Sequence, residues 1–334
     1  MSNRPRVLLT DRAWPDTSYE QVILDRIGAE LVESPSADEA TLCRIAADCD
    51  AIATNWAKVT PAVIAAATRC RVISRMGIGI DNIAVDAATA RGIPVTNCPD
   101  YCVAEVADHS LGLLLACARR IGFLHHRTKQ GEYRLGAVSG LQRLSTQTLG
   151  LLGLGRIGRE LCLRARACGL RIIAHTASGS DHGTGCEMVS LHDLLSTSDY
   201  LSLHAPSTPA THHILNATSL SWMKPTAYVI NTSRGSLIDE NALADAIIAG
   251  KLAGAALDVF DPEPPDLSRP LFRDERVIVT PHAAFVSDQA LAQMRTQAFE
   301  QLVAALQGKR PQNVINPQIY TAAATSSDVG RVTS

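Results

Sequence analysis

Apolar and polar positions along this chain follow two rhythms. Short, nearly continuous apolar runs closed by turn residues alternate with longer stretches in which apolar residues recur at helical spacing. The first pattern predicts buried strands and the second amphipathic helices. Residues 7–10, 29–32, 51–54, 71–75 and 93–96 read as strands, and 19–27, 38–47, 61–67 and 85–90 as the helices between them. Such alternation predicts a parallel sheet with helices on its faces. Asn97-Cys-Pro99 interrupts it like a hinge. A long apolar helix over 103–121 follows, compatible both with a crossing between domains and with burial in one core.

A second alternation opens with the apolar run 149–152, which ends in Gly153-x-Gly155-x-x-Gly158 and passes at once into a helical pattern. Strand, glycine turn and helix in that order are the context a dinucleotide fingerprint requires. Gly153 would make the tight turn, Gly155 would let the backbone approach a pyrophosphate, and Gly158 would let the helix lie close to its strand. Further strands are expected at 170–176, 200–204, 228–233, 253–259 and 276–280, with a final helix over 288–307. Ligands of an open parallel sheet sit outside the carboxyl ends of its strands. Arg234, Glu263 and His282 each fall just past one. Taken singly, His282 is compatible with a strand-end cap, Glu263 with a solvated loop and Arg234 with a surface ion pair. Three of them on successive strand ends beside a fingerprint point to one site. Arg75-Met-Gly-Ile-Gly-Ile-Asp-Asn82 follows the fourth strand, and its glycines allow amides to face an anion. An ordinary turn with Asp81 capping the next helix is the other reading.

Composition narrows the classes. A length of 334 residues suggests two domains, and a net charge of −2 gives no reason to expect nucleic acid or an anionic membrane as partner. No apolar run approaches the ~18 residues of a membrane span, and the start of the chain runs straight into a strand without a secretory pattern. Nine cysteines lie scattered without C-x-x-C pairs, which reads as reduced thiols in a cytoplasm. Cys98-x-x-x-Cys102 lacks a second ligand pair, so no metal is expected. His125 and His126 read as surface or capping residues, and the other histidines besides His282, including His182, as structural or surface. The small polar tail from about residue 321 reads as disordered.

Four motifs together carry a family resemblance: Gly153-Leu-Gly-Arg-Ile-Gly158, Asn231-Thr-Ser-Arg-Gly235, Asp258-Val-Phe-Asp-Pro-Glu-Pro264 and Thr280-Pro-His282. Over about residues 5–316 the chain resembles the D-isomer-specific 2-hydroxyacid dehydrogenases. It is most similar to the branch holding the C-terminal-binding proteins, through Tyr101-Cys-Val-Ala-Glu-Val-Ala-Asp108 and His282-Ala-Ala-Phe-Val-Ser-Asp-Gln289. Phosphoglycerate dehydrogenases are also near, through Lys58-Val-Thr60 and the loop 77–82.

The resemblance implies an α/β fold of two parallel-sheet domains. A Rossmann cofactor domain (98–285) would be inserted into a flavodoxin-like substrate domain (1–97 with 286–334). It implies a homodimer built on the helix from Val103, and hydride transfer between a nicotinamide cofactor and a small 2-hydroxy or 2-oxo acid. His282 would be the acid–base, and Glu263 would pair with it and favour its protonated form. Arg234 would hold the substrate carboxylate. Gly77, Ile78 and Gly79 would offer backbone amides, with Lys58, Arg75 and Phe285 lining the substrate. The cofactor would lie on Gly153, Gly155, Arg156, Ile157 and Gly158. Thr176, Pro206 and Thr232 would also touch it, and Asp258 would fix its carboxamide.

One position departs from the family. Relatives that choose NAD carry Asp where this chain has Thr176, so either NAD or NADP is expected, with relaxed preference. Lys58 and Arg75 together suggest a substrate with a second anionic or polar group. The alternative reading is a corepressor-like binding protein that senses NAD(H). The lack of a long disordered C-terminal extension favours the enzyme.

Overall fold

The computed structural model describes residues 4–137 and 140–321. The tail that composition reads as disordered lies outside the described residues. Up to residue 96 the chain runs β1 (Arg6–Leu9), α1 (Ser18–Asp25), β2 (Glu30–Glu33), α2 (Glu39–Ala46), β3 (Ala51–Thr54), α3 (Pro61–Ala66), β4 (Ile73–Arg75), α4 (Val85–Ala90) and β5 (Val95–Thr96). It continues through α5 (Val103–Ala118), α6 (Ile121–Lys129), β6 (Thr148–Leu152), α7 (Arg156–Ala167), β7 (Arg171–His175), β8 (Glu187–Met188), α8 (Leu191–Thr197) and β9 (Tyr200–Leu203). The remaining elements are α9 (Ala217–Leu220), β10 (Tyr228–Asn231), α10 (Glu240–Ile248), β11 (Gly254–Leu257), α11 (Pro270–Arg273), β12 (Val277–Val279) and α12 (Asp288–Leu306). Among the described residues, no helix is long and apolar enough to cross a membrane.

These elements form two compact units, one from both chain ends (up to Tyr101 and from Ser287 onward) and one from Cys102–Val286. In the first, five parallel strands take the order β2-β1-β3-β4-β5. That is the flavodoxin-like order, which reverses between β1 and β3. β3 is buried along its whole length, as a strand covered on both faces must be. Helix starts follow their caps: the Asp38 carboxylate accepts from Thr41 N at 2.9 Å, and Thr60 caps α3 ahead of Pro61. The chain end returns to this sheet, where Val95 N donates to Asn316 Oδ1 at 2.8 Å and Ile315 N to Val95 O at 2.8 Å. α12 is tied to α1 by Arg295, whose guanidinium meets the fully buried Glu20 carboxylate at 2.6 and 2.7 Å.

The second unit has seven parallel strands in the order β12-β11-β10-β9-β6-β7-β8. The chain enters at β6, winds out to β8 and returns to β9 on the other side, so the order reverses between β6 and β9, as in the Rossmann fold. Alternate strand residues feed two cores. Leu201, Val229 and Leu257 belong to one, and Tyr200, Ile230 and Ala256 to the other.

Three local expectations change. The helix expected over 103–121 ends at Ala118. Arg120 takes a left-handed conformation (φ 49°), which interrupts the helical ladder, and α6 starts afresh at Ile121. His125 and His126 lie exposed on α6. α4 begins after Ala84 with no side-chain cap, so Asp81 does not cap it. β8, α8 and α10 were not legible as separate elements; β8 is two residues long and carries no period.

Candidate active site

The glycine turn is shaped by contacts that no side chain could share. Gly153 has φ 102°, and a Cβ there would stand 2.6 Å from the carbonyl oxygen of His204. A Cβ on Gly158 would overlap the carbonyl of Gly153. Gly155 is different: it starts α7 without a side-chain cap, and a Cβ there would meet nothing within 4 Å. Two glycines thus let backbone pack on backbone at the β6/β9 reversal, and the third leaves a helix N-terminus clear. Its uncapped amides suit a pyrophosphate, so the residues fit a dinucleotide. Arg156 is exposed and Ile157 half-buried at the start of this helix, and Pro206 is exposed past β9. Thr232 is buried past β10, its hydroxyl 2.7 Å from that of Ser110.

Thr176 follows β7, and its hydroxyl donates to Ser180 O at 3.2 Å. Asp181 accepts from Gly183 N at 3.1 Å and Gly185 N at 2.9 Å, bonds that hold its carboxyl below the usual range. The carboxylate therefore serves its own loop.

Past β10, β11 and β12 lie the three strand-end residues. His282 Nδ1 stands 2.7 Å from Glu263 Oε2, and Glu263 Oε1 accepts from Phe260 N at 3.0 Å. Burial pushes the Glu263 carboxyl up. The His282 hydrogen bond and charge, the Phe260 amide and the Arg234 charge outweigh it, and the net shift is downward. Gly235 packs so tightly on Phe260 and Asp261 that a Cβ would overlap their backbone, which binds the Arg234 strand end to the segment leading into Glu263. The Phe285 ring meets His282 edge-on, with centroids 6.0 Å apart.

His282 itself has φ 53°, a conformation imposed from beneath by Asp258. That carboxylate is fully buried. It accepts from the Thr280 hydroxyl, from Ala283 N at 2.9 Å and from Ala284 N at 2.9 Å, while His282 N donates to Asp258 O at 2.8 Å. The resemblance gives Asp258 to the carboxamide; the structure also makes it the clamp of the His282 loop. His109 on α5, which sequence reasoning passed over as structural or surface, joins this network with Nε2 3.1 Å from Thr280 Oγ1 and 3.6 Å from Asp258 Oδ1. Nothing in its local sequence signals that contact, since its partners lie more than a hundred residues away.

The other expected residues lie at strand ends of the first unit. Arg75 closes β4, and its guanidinium lies over Gly77, where a Cβ would stand 2.5 Å from Nη1. Gly77 O accepts from Cys98 N at 3.0 Å and Ile78 O from Asn97 Nδ2 at 2.7 Å, while Gly79 is half-buried. Lys58 is exposed in the loop after β3. The structure brings Arg234, Asp258, Glu263, His282 and Phe285 together in one unit, and Lys58, Arg75 and Gly77 to Gly79 along the strand ends of the other. A groove of about 430 Å³ lined by Cys117, Phe123, Tyr228 and Ile278 lies where β10 begins, the edge opposite to these strand ends.

Comparison with known proteins gives the family. The family model described as D-isomer specific 2-hydroxyacid dehydrogenase, NAD binding domain, matches residues 111–284. The chain is 38% identical over 316 residues to a D-3-phosphoglycerate dehydrogenase of Methanocaldococcus jannaschii; the match covers 93% of this chain and 59% of that protein. It is 36% identical to a glyoxylate reductase of Aeropyrum pernix, covering 95% of this chain and 97% of that one. Among solved structures, the NADPH-dependent glyoxylate/hydroxypyruvate reductase of Sinorhizobium meliloti, in complex with NADP and malonate, superposes with a TM-score of 0.83. That pair is 32% identical, and the match covers 94% of this chain and 97% of the other.

Proposed function

The chain belongs to the D-isomer specific 2-hydroxyacid dehydrogenase family, and from that premise we propose that it is an NAD(P)-linked enzyme interconverting a small 2-oxo acid and its 2-hydroxy acid. The observation that carries this reading is the Glu263–His282 pair, 2.7 Å apart, beside Arg234 in the unit that holds the glycine turn. The nicotinamide dinucleotide, when bound, supplies or takes up the hydride. Gly153, Gly155 and Gly158 with the α7 amides would hold its pyrophosphate, flanked by Arg156 and Ile157, and Thr176, Pro206 and Thr232 would line the rest of its path. Glu263 occupies His282 Nδ1, which leaves Nε2 to give a proton to the forming alkoxide or remove it in reverse. Arg234 pairs with the substrate carboxylate through its planar donor fork. Asp258 sets the His282 backbone and hence the direction of the imidazole. In the second unit Phe285, edge-on to His282, is a wall for the substrate's side chain; in the first, the amides of Gly77, Ile78 and Gly79 and the charges of Lys58 and Arg75 are the groups suited to an anionic substrate.

The test is steady-state turnover with a panel of small 2-oxo acids. His282→Ala should lower kcat by at least ~10²-fold, the usual scale for losing a general acid–base. Near-normal kcat in that variant would refute the mechanism.

Cofactor choice is relaxed. Thr176 carries no carboxylate to repel a 2′-phosphate, and Asp181 is turned to the amides of Gly183 and Gly185. We expect kcat/KM for NADP(H) within about tenfold of that for NAD(H), with Thr176→Asp restoring strong NAD selectivity. A wild-type preference for NAD above about a hundredfold would show that another group replaces the missing carboxylate. The chain acts as a homodimer. Support comes from the apolar α5 and from Tyr133 and Leu135, which stand 92% and 94% exposed in the segment after α6.

A further inference from the structure

We propose that Asp11 is a positioning residue for substrate binding: its carboxylate organises the loop after β3 that presents Lys58. The proposal rests on the reading of Lys58 given above. In a sheet of order 2-1-3-4-5, the crevice between the first and third strands is where open α/β folds collect ligands, and backbone amides there face an anion. In this chain the anion is internal. Asp11 stands just past β1, and three successive amides past β3 converge on it: Asn55 N and Ala57 N each reach Oδ1 at 3.1 Å, and Trp56 N reaches Oδ2 at 2.8 Å. The Thr10 hydroxyl adds a fourth donor to Oδ1 at 2.7 Å.

The same loop is held by its carbonyls from the other side. Asn82 Nδ2 donates to Asn55 O at 3.1 Å and to Ala57 O at 2.9 Å, and the Thr54 hydroxyl donates to Ala57 O at 2.8 Å. Asn82 ends the loop that begins at Gly77, so Asp11 and Asn82 brace the loops after β1, β3 and β4 as one body. Residues then alternate about the brace: Ala57 and Val59 are buried, while Trp56 and Lys58 face outward. Charge-assisted bonds to a carboxylate are the strong ones. Removing the carboxylate leaves three adjacent donors without their acceptor and releases the Lys58 backbone from its fixed position.

Asp11→Asn keeps the shape, but it offers one acceptor oxygen and turns an amide donor toward donors. In this variant KM for the 2-oxo acid should rise by about tenfold or more while kcat and KM for the nicotinamide cofactor stay within about threefold of wild type. Hydrogen exchange followed by mass spectrometry should show lost protection confined to peptides spanning residues 54–59. Asp11→Glu, which restores the charge, should recover part of the KM. Unchanged KM with unchanged exchange would overturn the proposal, and so would a loss of kcat and cofactor affinity in parallel, which marks general damage. If exchange rises but neither Asp11→Asn nor Lys58→Ala alters KM, the loop is braced as described and its part in substrate binding is refuted. The fault then lies in the reading of Lys58, and the chemistry of His282 stands untouched.

Discussion

His204 follows β9 directly beneath the glycine turn, its carbonyl against Gly153 and its Cβ near Gly158. It keeps some exposed surface, yet burial of the imidazole pushes its pKa down to about 4, and Ser202 Oγ lies 2.8 Å from its Nε2. The sign follows from proton counting. Between about pH 6.5 and 4 the unfolded chain protonates this ring and the folded chain does not, so stability falls as pH drops through that window and is intact above it. The loss approaches roughly 3 kcal/mol at most. Glu263, also shifted downward, acts only at lower pH, below the ordinary range of a glutamate. Denaturation midpoints measured from pH 7.5 to 4.5 should therefore slope less steeply for His204→Asn than for wild type. Equal slopes would show that this ring titrates normally in the fold. Single residues of this kind divide by legibility. Gly153 and Gly158 were readable because a backbone contact admits no other residue. His109 and Asp11 were not, because each is defined by partners far along the chain: Thr280 for one, the amides of residues 55 to 57 for the other.

At the scale of elements, α7 and the strand before it yield a sharp contrast between two substitutions. A methyl on Gly155 meets nothing in the protein and sits at ordinary φ, whereas one on Gly158 strikes the Gly153 carbonyl. Gly155→Ala should keep folding stability within about 1 kcal/mol of wild type and still weaken NADH binding, because only the ligand contests that space. Gly158→Ala should lower stability by about 1–3 kcal/mol, as overpacking does, and weaken binding as well. Paired thermal melts and NADH titrations distinguish them; equal stability losses would mean that the turn is looser than drawn. Every strand except β8 was legible from sequence as a largely apolar run stopped by turn residues, and their ends moved by only one or two residues. The break at Arg120 was not legible, because a single left-handed residue inside an apolar stretch leaves no periodic trace.

For the whole molecule, the family and the division into two parallel sheets were legible through motifs, while strand order came only with the structure, since hydrogen-bonded neighbours such as β6 and β9 lie some fifty residues apart. Assembly is the expectation at this scale. Tyr133 and Leu135 leave nearly bare side chains that a two-fold partner would cover. Light scattering at micromolar concentration should return twice the 35.7 kDa of the chain. A stable monomer would refute it, and Tyr133→Asp with Leu135→Asp should shift a genuine dimer toward that species.

The first unit is closed by a helix that arrives last, and this sets an order on biosynthesis. As the chain leaves the ribosome, the five strands of the first sheet are made early, yet Glu20 is shut in with its counter-charge only when Arg295 emerges, and β5 gains its edge partner only with residues 314 to 316. A buried carboxylate without its guanidinium is strongly destabilising, so the early segment waits while Cys102–Val286, contiguous and with its own cores, can complete first. For these two units the usual N-to-C order of domain folding during synthesis is thus expected to invert, the first unit waiting on Arg295 and on residues 314 to 316.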